Sequence, residues 1–80
     1  MSEKDLPAIS RNVKKFREAA GMSQQELAGK AGISLSVIAQ IEQGVISNPR
    51  VNTVTGLADA LGLDCNTLTG KSGGRPRKGK

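Results

Sequence analysis

The side chains best suited to engaging a partner are uncharged and polar: Gln24, then Ser34, Ser36, Gln40 and Gln43 within ten residues of one another. An amide offers a donor and an acceptor together, and a hydroxyl offers either. Such groups can pair with flat polar edges but cannot by themselves run acid–base or covalent chemistry. The chain contains no histidine, and its 7 carboxylates recur at no repeating spacing. Catalytic triads, carboxylate dyads and metal cages cannot be assembled from that inventory. Recognition is therefore expected rather than catalysis, with no cofactor and no metal.

Those side chains need elements to position them, and the apolar residues supply helices. Ile9, Val13, Phe16 and Ala20 recur at helical spacing, which predicts a first helix from Asp5 or Leu6 to Ala20, with Pro7 in its first turn and Gly21 closing it. Ser23-Gln24-Gln25-Glu26 matches a capping box at the start of a second helix that runs to about Ala31. Leu27, Ala28 and Ala31 should point inward there, while Gly29 weakens the helix by about 1 kcal/mol relative to alanine. The turn Gly32-Ile33 leads to Ser34, the cap of a third helix that Gly44 ends. On its wheel Val37, Ile38 and Ile41 lie on one side, and Leu35, Ser36, Ala39, Gln40 and Gln43 on the other. After a loop through Asn48-Pro49, the residues Val51, Val54, Leu57, Ala58 and Leu61 mark a fourth helix stopped by Gly62, with Gly56 as an unexplained soft spot. Asp64 can cap a short fifth helix that contains Leu68. The fold class is thus all-α, five helices over residues 1–70, followed by a tail over 71–80 with no apolar residue that should be disordered in isolation.

Eighty residues make one small domain. Cys65 is the sole cysteine, so an internal disulfide is impossible, and beside a cap it reads as an inert thiol. No apolar run reaches the ~20 residues of a membrane span and the charged start is no signal peptide, so a cytoplasmic protein is expected. The formal charge of +5 is uneven: the last ten residues alone carry five cations and no acid, while residues 23–70 are net acidic. With one aromatic, Phe16, the chain lacks the stacking platforms of single-strand binders, which leaves double-stranded DNA as the natural partner for a basic helical domain.

At this point the motif becomes a resemblance. GMSQQELAGKAGISLSVIAQIEQG, followed by NPR and by LADALGL, resembles the Cro/CI-type (XRE) helix-turn-helix regulators, over about Ile9 to Leu68. The resemblance implies a lambda-repressor-like fold and a sequence-specific transcriptional regulator, expected to act as a repressor and to bind a pseudo-palindromic operator as a homodimer. Carried over by position, Gln24 should donate to a phosphate. Ser34, Leu35, Ser36 and Gln40 should face base edges, with Gln40 pairing to adenine and Leu35 meeting a thymine methyl. Gln43 should touch the phosphate strand, and Arg50 a phosphate or a minor-groove edge. Arg17 and Glu42 match a structural ion pair that holds the recognition helix, whereas Lys14 and Lys15 read as a solvated face.

Two departures stand out. The third helix carries no basic residue, and the loop after Gly44 reads Val45-Ile46-Ser47 where the family usually places phosphate-facing cations. Val45 and Ile46, with Leu63 and Leu68, are therefore dimer candidates. The electrostatic attraction would fall to the tail, whose Gly74-Arg75-Pro76 with Arg77 resembles part of an AT-hook, although Gly73 stands where the first core arginine belongs. A non-specific phosphate-binding tail reads equally well. Two other functions fit the same pattern: an antitoxin-type protein of this fold that binds a toxin, and an architectural nucleoid binder working mainly through the tail.

Overall fold

The computed structural model describes residues 5–70, and the tail with Arg75 and Arg77 lies outside them. Its elements are α1 (Ala8–Ala19), α2 (Gln24–Ala31), α3 (Leu35–Glu42), α4 (Val51–Leu61) and α5 (Cys65–Thr69), with no strand among the described residues. The first helix starts later than its apolar spacing predicts. Pro7 is the N-cap and not a first-turn residue, with an extended ψ of 152°, while its carbonyl accepts from the Ser10 and Arg11 amides. A proline also disfavours helical geometry at the residue before it, which keeps Leu6 out of α1.

The buried stripe of α1 is rotated from the expected one. Ile9, Ser10 and Val13 are buried, whereas Phe16 is half-buried beneath the Lys15 ammonium, 5.4 Å from its ring centroid, and Ala20 is exposed. The rotation follows from what α1 must cover, because it packs on both α3 and α5. It turns Asn12 toward α5, where the Asn12 amide donates to the Leu68 carbonyl at 2.9 Å and the Thr67 carbonyl at 3.4 Å. Carbonyls at a helix C-terminus lack intrahelical donors; Asn12 supplies one to the Leu68 carbonyl, while the Thr67 carbonyl also accepts from the Gly70 amide.

Side-chain caps set the starts of α2, α3 and α5. Ser23 and Glu26 close a reciprocal capping box at α2, the Ser34 hydroxyl accepts from the Val37 amide at 3.2 Å, and Asp64 accepts from the Thr67 amide at 2.7 Å. Between α2 and α3 the chain reverses at Gly32, whose φ of +69° is a left-handed conformation that side chains with a Cβ disfavour. All five helices feed one core, in which Val13, Leu27, Ile38, Ile41, Leu57 and Leu68 are fully buried. Leu68 therefore cannot serve a dimer contact: a five-residue helix has one inward side chain to anchor it, and this is that residue. Val51 opens α4 and remains 78% exposed, so burial on that helix begins at Val54.

Gly56 is explained by a close approach. A Cβ there would sit 2.8 Å from the Ala31 carbonyl oxygen, at the point where α4 crosses the end of α2. Gly29, by contrast, has open space around the same position. Gly56→Ala is expected to destabilise the domain by about 1–3 kcal/mol through overpacking against backbone, while Gly29→Ala should stabilise it by up to about 1 kcal/mol. Urea denaturation of the two variants measures the difference. The buried Ser10 hydroxyl, with no hydrogen-bond partner among the described residues, gives a further expectation. Ser10→Ala should leave stability unchanged or raise it, because an unmet hydroxyl opposes folding; a clear loss in the same denaturation series would show that the hydroxyl is bonded.

Candidate nucleic-acid interface

The eight-residue α3 buries Ile38, Ile41 and Glu42 and packs Val37 against the core, which leaves one face toward solvent. Leu35 is 45% exposed, Ser36 and Gln43 are exposed, and Ala39 and Gln40 are half-buried. Residues 36, 40 and 43 lie one helical turn apart, so they form a continuous strip. Within it the Gln40 amide donates to the Ser36 hydroxyl at 3.3 Å. The strip bears no charge. Ser34 stands at its head, exposed, with its oxygen committed as an acceptor to the cap but its hydroxyl proton still able to donate. Arg50 is exposed at the N-cap of α4, where it makes no side-chain capping bond.

The orientation of that strip depends on the last residue of α3. Glu42 has a side chain only 5% exposed, and its carboxylate collects donors from two other helices. Arg17 of α1 meets it as a fork, Nε to Oε2 at 2.6 Å and Nη2 to Oε1 at 3.0 Å. The third guanidinium nitrogen donates to the Met22 carbonyl at 2.8 Å, in the turn between α1 and α2. Gln24, the first residue of α2, completes the set through Nε2 to Oε1 at 3.0 Å. The structure thus brings Arg17, Gln24 and Glu42 together, and Gln24 is committed in part to the protein itself. Sequence spacing gave no sign of that bond, since the two residues lie 18 positions apart on different helices.

The Arg17 guanidinium is held above the usual arginine range, chiefly by its hydrogen bond to Glu42, with burial acting in the opposite direction. A raised pKa means that this stabilisation is complete below the ordinary arginine value and is lost only as pH climbs through the higher folded one. The pair consequently does not weaken through its arginine at any neutral or mildly alkaline pH. Removing one partner is a different matter, because it strands a buried charge. Glu42→Ala is expected to cost about 3–5 kcal/mol in urea denaturation, and the double replacement Arg17→Met with Glu42→Leu should recover most of that loss. If the double variant proved no more stable than the single one, the stranded-charge account would be wrong.

Elsewhere, no group of three or more His, Cys, Asp or Glu among the described residues is placed to hold a metal ion. Val45 is 68% exposed, while Ile46 packs at the edge of the core, so the two apolar loop residues divide between surface and interior. Leu63 is half-buried against the same core. Cys65 is half-buried with its sulfur 3.9 Å from the Thr55 hydroxyl.

Comparison with known proteins follows the same outline. A helix-turn-helix family model matches residues 13–68, from within α1 to Leu68 of α5. The chain is 32% identical over 60 residues to the HTH-type transcriptional regulator SinR of Bacillus subtilis (strain 168), covering 75% of this chain and 54% of SinR. It is 32% identical over 63 residues to the immunity repressor protein of Bacillus phage phi105, covering 79% of this chain and 43% of that one. It therefore spans about half the length, or less, of these relatives. Among solved structures, that of SinR, described as the master regulator for biofilm formation, in complex with DNA superimposes with a TM-score of 0.73 at 32% identity. That match covers 75% of this chain and 95% of the other. With five helices in this order and a family match over residues 13–68, the chain belongs to the helix-turn-helix family.

Proposed function

We propose that this chain is a sequence-specific double-stranded DNA-binding regulator that acts as a repressor and reads the major groove with α3. The observation that carries the reading is the uncharged strip of Leu35, Ser36, Gln40 and Gln43 on a capped helix tied to its neighbours through Glu42. A helix of this kind fits the major groove, where each base pair presents its own pattern of donors and acceptors. Gln40 can offer both halves of its amide to adenine N6 and N7, and the exposed Leu35 can meet a thymine methyl. Gln24 and Gln43 serve the phosphate strand on either side, and Arg50 a phosphate or minor-groove edge. Similarity to a DNA-bound regulator and to a phage repressor supports the same reading.

The chain works without catalysis, as a homodimer on a pseudo-palindromic site with recognition helices ~34 Å apart. Of the residues expected at the dimer contact, Val45 is 68% exposed and Ile46 and Leu63 are half-buried, and Val51, 78% exposed, adds accessible apolar surface to them. A cytoplasmic location suits this role; no helix among the described residues is long and apolar enough to cross a membrane. Arg75, Arg77 and the other cations of residues 71–80 would add non-specific attraction, whether as an AT-hook-like clamp or as simple phosphate contacts.

Selection of bound duplexes from a randomised library supplies the cognate site. Against it, Gln40→Ala should lose about 1–3 kcal/mol of binding while affinity for random DNA is unchanged. Equal losses on both would sink base reading by Gln40. Deleting residues 71–80 should flatten the log–log salt dependence by about 0.9 for each phosphate contact removed while leaving the selected sequence unaltered. A changed sequence preference would show that the tail reads bases.

A further inference from the structure

A glutamine amide has two ends of similar shape and opposite polarity, so an exposed one is free to turn either toward a phosphate. Only the NH2 end attracts it. Resting on the reading of Gln24 as a phosphate donor, we propose that Glu42 is the positioning residue for that contact: it holds the Gln24 amide nitrogen in place beside the end of α3, so that this nitrogen's second N–H is the group left for the phosphate. A carboxylate is an acceptor only, so the 3.0 Å bond between Gln24 and Glu42 Oε1 admits the nitrogen and rejects the oxygen. Glu42 cannot swing to accommodate the other arrangement, because Arg17 grips both its oxygens. One N–H of Gln24 is thereby spent on Glu42 and the second remains for an outside acceptor.

The consequence is that seating of the recognition helix and polarity of the phosphate donor are one event. Glu42 is the last residue of α3 and Gln24 the first of α2. A displaced α3 would release the amide along with the helix.

The experiment uses the full chain and the selected duplex, with single phosphates replaced in turn by uncharged methylphosphonates. In the wild type, one replacement should weaken binding about tenfold or more through loss of a charge-assisted hydrogen bond, and Gln24→Ala should make that position insensitive. Glu42→Gln can still accept from Arg17 but can also donate to the Gln24 carbonyl, so the amide is free to invert. It should silence the same phosphate, leave the others sensitive, and add no loss there on the Gln24→Ala background. If Gln24→Ala silences no phosphate, the phosphate contact itself is wrong and the inference goes with it. If Gln24→Ala silences one and Glu42→Gln leaves it fully sensitive, the positioning role alone is refuted. A general weakening by Glu42→Gln, equal on both backgrounds, also refutes it, since that is what a merely structural carboxylate would produce. Hydrogen exchange in the unaltered free chain is independent of how the variants fold: a Gln24 side-chain amide bound to Glu42 should exchange more slowly than that of exposed Gln43, and equal rates would overturn the proposal.

Discussion

A carboxylate removed from water must be met by donors, and nearly everything about the placement of α3 follows from how Glu42 is met. Three hydrogen bonds converge on it from Arg17 and Gln24, and Arg17 in turn reaches the Met22 carbonyl. One charged group thus references the third helix to the first, to the second, and to the turn between them. Apolar packing by Ile38 and Ile41 supplies the bulk of the attraction but little angular precision, since such contacts are non-directional. The ion pair supplies direction. Its net contribution to stability is small beside what its loss would cost, which is the usual balance for a buried pair.

This arrangement lets the outer face of α3 be chosen almost independently of the fold. Leu35, Ser36, Gln40 and Gln43 contribute no buried apolar side chain and no bond to another helix. A face released from structural duty can change its residues, and with them its hydrogen-bonding pattern, without disturbing the core. The electrostatics divide in the same way: the strip is neutral, while the chain's excess charge lies in its last ten residues.

Local signals made much of the fold legible in the sequence. Ser23 with Glu26, Ser34 and Asp64 each announce a helix start through a bond spanning three residues, and Gly32 announces the turn through a backbone need that is equally local. Apart from the start of α1, what was hidden depends on contacts distant along the chain. The later start of α1 turns on the extended ψ of Pro7, and its rotated stripe on its contact with α5. Asn12 looks like an ordinary surface asparagine until α5 is laid beside it, and Gly56 looks like a flaw until Ala31 is placed against it. At the site, the polar strip on α3 could be drawn from a helical wheel. The bond between Gln24 and Glu42 could not, because it requires the relative placement of two helices.

The clasp between Asn12 and Leu68 also bears on the order in which the domain can form. These residues stand 56 positions apart, and the five-residue helix that they join is far too short to persist in water alone. Leu68 nevertheless fills a fully buried position in the core. During synthesis the first four helices are therefore made before their last wall exists, and they must wait with apolar surface uncovered. Loop closure over most of the chain then comes late, when α5 docks. The shortest helix is the latch, so local opening should begin there and uncover the faces of α1 and α4 against which it packs.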